Sequence, residues 1–364
     1  MPADAPLKLI RVSGSHREIG RQIGEACAEE IHRMLAVYKA EFAKAYDELQ
    51  ITWEEAVLQG AKYYPYAQEH TPQYVEELEG MAEAADVDFD ELMVLNCIEA
   101  ITSDKIHLGC TSLAVSAERT ADGHVLVAHN EDWMPEDEEN AYLIHATPED
   151  EPPYLAMTYG GLLPNIGLNA AGIAQCCDSV YPTDVRVGVP RIFVSRRVLA
   201  AERIADAIRS ALMRWRAAGY NHLIADRNGE LYNVEVSARR FATIYGMEGY
   251  LAHTNHYLTE RMKQVEHHTD HLISSRVRVN RALRLLRSMS PHSPDTLKAI
   301  LRDHVNFPNS ICSHTETPNS HTDTNPLDRQ KTICSLVMDL TTLEMQVCWG
   351  NPCEGVYHTY RLEV

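Results

Sequence analysis

Two hydrophobic periodicities divide this chain, and the change between them falls at Gly109-Cys110. Before that pair, apolar residues recur at helical spacing; after it, they alternate as in half-buried strands. A short strand is predicted over 7–12. Ser15-His16-Arg17-Glu18 then fits a capping box, and the apolar series from Ile19 through Ile23, Ile31, Leu35 and Phe42 predicts one long amphipathic helix to about Gln50. Thr52-Trp53-Glu54-Glu55 repeats the capping pattern before a second helix, which Pro65 kinks or stops. Thr71-Pro72 opens a third helix and Asp88-Phe89-Asp90-Glu91 a fourth, which carries Leu92, Val94, Leu95, Ile98 and Ile101.

Past the pair the grammar is that of sheets. Thr111, Leu113 and Val115 alternate with Ser112, Ala114 and Ser116, and Asp122-Gly123 offers a turn into 124–129. The returning strand runs into a dense polar cluster, His129-Asn130-Glu131-Asp132-Trp133. Further strands are predicted at 141–147, 154–159, 221–226, 230–236, 240–245, 250–254, 331–340 and 343–350, with another hairpin around Gly167–Gly172 leading to Cys176-Cys177-Asp178. Helices interrupt them at 190–217, 270–288 and 294–304. The segment 304–330, rich in Pro, Asn, Ser and Thr, reads as a long functional loop. Strand runs alternating with helix pairs predict an α+β fold, two sheets face to face with helices outside.

The 364 residues are 45% hydrophobic and carry a net charge of −19, which disfavours nucleic acid and anionic membrane as partners. No apolar run approaches the roughly 20 residues that span a bilayer, and the N-terminus lacks a basic-then-apolar leader pattern, so a cytoplasmic protein is expected. The nine cysteines are odd in number and include no C-x-x-C pair. They read as reduced, small hydrophobes, not as a disulfide frame or zinc knuckle.

Gly109-Cys110, Asn130-Glu131-Asp132 and His253-Thr254-Asn255-His256 together resemble motifs of the acyl-coenzyme A:6-aminopenicillanic acid acyltransferase family, peptidase C45-like, a branch of the N-terminal-nucleophile (Ntn) hydrolases. The resemblance covers nearly the whole chain and implies a four-layer αββα sandwich with a mostly helical N-terminal segment. It implies self-cleavage at Gly109–Cys110, which divides the chain into a helical segment 1–109 and a catalytic portion 110–364. These would remain together as a heterodimer of the chain's own fragments. Cys110 would then be the nucleophile, its thiol served by its own free α-amine, whose reference pKa is roughly 7.7–8.0. Asp132 would hold the ammonium and polar substrate groups, and the Asn255 amide would donate to an oxyanion. Asn130, Asp178, His253, Cys312 and Ser313 are assigned to the substrate pocket. The family often has arginine after the cysteine that matches Cys312; here Ser313 stands there, which argues against a penicillin-like substrate. Asp178 likewise stands where relatives often carry asparagine.

The family implies no metal and no cofactor. His253 and His256, spaced three apart at a strand end, would face opposite ways; His267, His268 and His271 follow, but no His-Glu-x-x-His occurs. The expected activity is amide cleavage of a small N-acylated amine or amino acid through an acyl-Cys110 intermediate. Acyl-CoA-dependent N-acyl transfer from a thioester is the alternative, and a non-catalytic binding protein on the same fold is the competing class.

Overall fold

The alternation that begins at Gly109 resolves into strands because the central ones carry one face into a core between two sheets and the other against helices. The computed structural model describes residues 4–102, 105, 109–267, 272–315 and 329–363. Its strands, in chain order, are β1 (Leu9–Gly14), β2 (Gly109–Val115), β3 (Leu126–Trp133), β4 (Ala141–Pro148), β5 (Tyr154–Tyr159), β6 (Ile166–Asn169), β7 (Ile173–Ser179), β8 (Tyr220–Asp226), β9 (Leu231–Val236), β10 (Phe241–Tyr245), β11 (Tyr250–His253), β12 (Lys331–Asp339), β13 (Glu344–Trp349) and β14 (Tyr357–Arg361). One sheet has the order β1-β4-β5-β6-β7-β8-β9-β10 and the other β11-β2-β3-β12-β13-β14. The ladder β1–β4 is parallel; the other ladders between these strands are antiparallel.

The sheets face each other through β2 and β3 on one side and β7 and β8 on the other. Helices Arg191–Leu199 and Ile204–Ala211 cover the eight-stranded sheet, and helices Leu272–Ser288 and Pro294–Leu301 cover the six-stranded one. This is the expected α+β arrangement in four layers, αββα. Strand β2 shows how alternation builds it. Ala114 joins the large core shared with the opposite sheet, whereas Leu113 and Val115 join a second cluster with Val279, Ala282, Leu286, Leu297 and Ile300 of the covering helices.

The N-terminal region is helical, but not as one long helix. It breaks at Cys27 into His16–Ala26 and Ala28–Lys44, and Gln50 ends the next short turn in the left-handed conformation. Pro65 stands in the first turn of a new helix, Tyr64–His70, where its missing N–H costs nothing. The capping expectations at Thr52 and Asp88 are met: Thr52 and Glu55 bond reciprocally, and Asp88 accepts from the Asp90 amide. Helix His16–Ala26 crosses Pro72–Ala85 backbone to backbone. A Cβ on Gly20 would lie 1.8 Å from the Glu77 carbonyl oxygen, and one on Gly80 would lie 2.2 Å from that of Arg17, so only glycine fits.

Charge also crosses from this region into the rest of the molecule. The buried Arg196 guanidinium lies 3.3 Å from Glu77 and 2.9 Å from Glu151, and His16 lies 3.1 Å from Glu77. Arg191 pairs with the buried Glu99 in the same way. Among the described residues no helix is long and apolar enough to cross a membrane. The C-terminal strand β14, not anticipated from the sequence, edges the six-stranded sheet.

Candidate active site

Cys110 sits second in β2, and the register decides what surrounds it. Gly109 lies opposite Asp132, Cys110 opposite Glu131, Thr111 opposite Asn130 and Ser112 opposite His129. Because strand side chains alternate, Cys110, Ser112, His129 and Glu131 share the face between the sheets, while Thr111, Asn130 and Asp132 share the helix-facing side. The Cys110 thiol is buried and donates to Glu131 Oε2 at 3.3 Å. Burial, and then the charge of Glu131, push that thiol well above its usual range.

Glu131 is held from both sides, at 2.9 Å from Tyr159 Oη and at 2.9 Å from His129 Nε2. Ser112 Oγ donates its single proton to Asp178 Oδ1 at 2.8 Å, so the 3.0 Å contact with His129 Nδ1 requires that nitrogen to donate. The thiol therefore faces the end of a hydrogen-bonded chain from Asp178 through Ser112, His129 and Glu131. Cys110, His129 and Glu131 also offer three ligand atoms within 4.8 Å of one another. The contacts of Glu131 with Cys110 and with His129 have hydrogen-bond lengths.

The nitrogen side of Cys110 is held by a different set of residues. Its backbone N–H donates to Asn255 Oδ1 at 2.9 Å, and Arg278 Nη2 donates to the same oxygen at 2.7 Å. Arg278 Nη1 bonds the Cys110 carbonyl and Thr111 Oγ1 as well. Asn255 Nδ2 donates to the Ser179 carbonyl at 3.1 Å. One turn before Arg278 on helix Leu272–Ser288, Ser275 Oγ bonds Thr254 Oγ1, the Asn255 amide and His256 Nδ1. That helix thus fixes the corner that presents Asn255.

Asp132 is buried. Thr332 Oγ1 bonds its Oδ1 at 2.6 Å, and its Oδ2 has no partner among the described residues. Burial raises its pKa to about 7 against the opposing pull of Arg278. A Cβ on Gly109 would lie 2.8 Å from Gln330 Oε1 and 3.2 Å from Asp132 Oδ2, so a side chain at residue 109 would crowd both groups.

The remaining expected residues fall into three groups. Asp178 reaches the cluster through Ser112; its Oδ2 accepts from Asn221 at 2.9 Å and lies 3.4 Å from His253 Nδ1. His253 is fully buried, with Nε2 3.1 Å from Glu235; burial lowers its pKa, but Asp178 and Glu235 bring it up to about 9. His256 turns to Ser275 instead. Asn130 bonds the Leu301 and Ile311 carbonyls and Ser335, an anchor for the covering loop. Ser313 meets the site through its amide, which bonds Thr332 Oγ1, while Cys312 lies beside Cys353. His268, His271 and the stretch 316–328 of the expected functional loop lie outside the described residues. Sequence reasoning missed Glu131, His129 and Arg278. Alternation around Cys110 would have pointed to Glu131 had the register been known, whereas Arg278 left no local signal.

A cavity of about 430 Å³ lined by Arg186, Arg214, Trp215, Arg216 and Arg239 shares no residue with this cluster.

Residues 119–354, more than half of the chain, match the model of the acyl-coenzyme A:6-aminopenicillanic acid acyl-transferase family. The chain belongs to this family. Among curated relatives, the Drosophila melanogaster beta-alanyl-dopamine/carcinine hydrolase is 24% identical over 65% of this chain and 66% of its own length. The 40 kDa form of the Emericella nidulans acyl-coenzyme A:6-aminopenicillanic-acid-acyltransferase is 22% identical over 77% of this chain and 76% of its own. A solved structure, penicillin V acylase from Agrobacterium tumefaciens, superposes with a TM-score of 0.46 at 13% identity, over 65% of this chain and 82% of that one. The acyltransferase family supplies the class of chemistry, an amidohydrolase or acyltransferase on the Ntn fold.

Proposed function

We propose that this acyltransferase-family member cuts itself at Gly109–Cys110 and then cleaves linear amides of small N-acylated amines or amino acids through an acyl-Cys110 intermediate. The observation that carries the reading is the contact pair at one residue: Sγ of Cys110 on Glu131 and N–H of Cys110 on Asn255. In the uncut chain the nitrogen of Cys110 is an amide and cannot act as base, so Glu131 takes the thiol proton. The thiolate attacks the Gly109 carbonyl carbon, a C–S bond forms, and the C–N bond breaks as the nitrogen gains a proton. Water then hydrolyses the thioester, leaving a Gly109 carboxylate and a free thiol beside a free amine.

After the cut the α-amine becomes the second base, near neutral pH and on the nucleophile itself. Asn255 Oδ1, already within 2.9 Å of that nitrogen, orients it, and the unpartnered Asp132 Oδ2 stands beside the place Gly109 vacates. Only one amide hydrogen of Asn255 is spent on Ser179, so the other is available to an oxyanion. The relative named for carcinine hydrolysis favours water as the acyl acceptor, and the missing arginine at Ser313 disfavours penicillin-like substrates.

The test is a screen of N-acyl amines, N-acyl amino acids and acyl-CoA thioesters, reading amine or thiol release. The reading expects release from an amide that disappears in Cys110→Ala. Undiminished release by Cys110→Ala would remove Cys110 from the reaction.

A further inference from the structure

Away from the Cys110 cluster, four side chains converge at the C-terminal end of the molecule: His304, Cys312, His314 and Cys353. Their ligand atoms all lie within 4.8 Å of one another. The separations are 3.6 Å between the two sulfurs, 3.5 Å and 3.4 Å from His314 Nε2 to Cys312 and Cys353, and 3.1 Å between the two Nε2 atoms. Zinc held tetrahedrally at ordinary bond lengths sets its ligands about 3.8 Å apart for S···S, about 3.5 Å for S···N and about 3.3 Å for N···N. These four separations match those values to within about 0.3 Å. Hydrogen bonding alone does not explain it. His314 Nε2 offers one lone pair or one hydrogen, yet it lies within contact of a second imidazole and two thiols at once. A cation at the centre would serve all four groups.

We propose that His304, Cys312, His314 and Cys353 bind one zinc ion as a structural Cys₂His₂ site. Two thiolates and two imidazoles suit zinc by softness and by geometry, and four protein ligands leave no position for substrate. The Asn351 amide donates to Cys312 Sγ at 3.6 Å and to the Ser313 carbonyl at 2.7 Å, the kind of outer support that orients a metal thiolate. His304 and Cys353 are exposed, so the metal enters from solvent. The absence of C-x-x-C spacing hid the site, because the fold brings Cys353, on the turn after β13, to the loop 304–314. The ion would staple these two segments together. Ser313, between two of the ligands, bonds Thr332, and Thr332 bonds Asp132, so the staple also braces one wall of the Cys110 site.

Untagged protein, reduced, incubated with zinc chloride and desalted, should retain about one zinc per chain by elemental analysis. Cys353→Ser and His314→Ala should each bring that close to zero. Cys110→Ala should keep the zinc, which separates this site from the ligand atoms around Cys110. On the wild-type protein, cobalt in place of zinc should give thiolate charge-transfer bands and the intense visible bands of a tetrahedral site, so the test survives a variant that does not fold. Reduced, folded protein that takes up neither metal overturns the proposal. So does zinc retained equally by Cys353→Ser, or a Cys312–Cys353 disulfide whose reduction yields no metal binding.

Discussion

Glu131 and Asp132 are neighbours in sequence, and strand alternation sends them to opposite faces with opposite tasks. Glu131 faces the thiol at 3.3 Å, so Glu131→Gln should slow self-cleavage by roughly 10²-fold or more, the contribution of a positioned base. A time course on a denaturing gel checks this, and cleavage at the wild-type rate would exclude Glu131 as the base. Asp132 is a carboxyl whose folded pKa, about 7, lies above its unfolded value of about 3.9. Its contribution to stability is therefore present below about pH 4 and is lost as pH rises through about 7. Asp132→Asn removes that loss, so its melting temperature relative to wild type should rise between pH 5 and pH 8. A difference that stays constant across that range would mean that Asp132 is not an acid held neutral by burial.

At the scale of elements, helix Leu272–Ser288 is the part that positions Asn255, through Ser275 and Arg278. Asn255→Ala should retain processing more readily than turnover, with turnover down about 10²–10³-fold, the usual effect of losing one oxyanion donor. A kcat near wild type on a working amide would place Asn255 outside the site. How much of this was legible in the sequence follows from what kind of signal each feature leaves. Period-two alternation from Thr111 to Val115 exposed the nucleophile-bearing strand; capping residues exposed helix starts at Thr52 and Asp88, and the N1 proline Pro72 another, where Thr71 itself turns its hydroxyl to the Ala67 carbonyl. The break at Cys27 left no glycine or proline to mark it. Strand β14 was missed because an edge strand half open to solvent has little hydrophobic contrast. Cys110, Asp132 and Asn255 were put forward through motif resemblance. The register that pairs Cys110 with Glu131 and the helix turn that carries Arg278 depend on tertiary contact.

For the molecule as a whole, the cut at residue 109 would divide a structure in which the N-terminal region is woven into the rest. Strand β1 is an edge of the eight-stranded sheet, and Glu77 and Glu99 pair with the buried Arg196 and Arg191. Ile19, Ile23, Leu92 and Leu95 are fully buried, each worth roughly 1.5–3 kcal/mol, so the fragments should elute together in size-exclusion chromatography after cleavage. An active peak holding only the larger fragment would show that 1–109 is a discarded propeptide. The central claim, that Gly109–Cys110 is a bond this chain cuts in order to make its own nucleophile, is tested most directly by intact-mass measurement of purified protein after incubation at neutral pH. The account expects two masses, those of 1–109 and 110–364, the second with Cys110 at its amino terminus, and a single uncut mass for Cys110→Ala. A single mass for 1–364 in wild-type protein that turns over amides at full rate would contradict it.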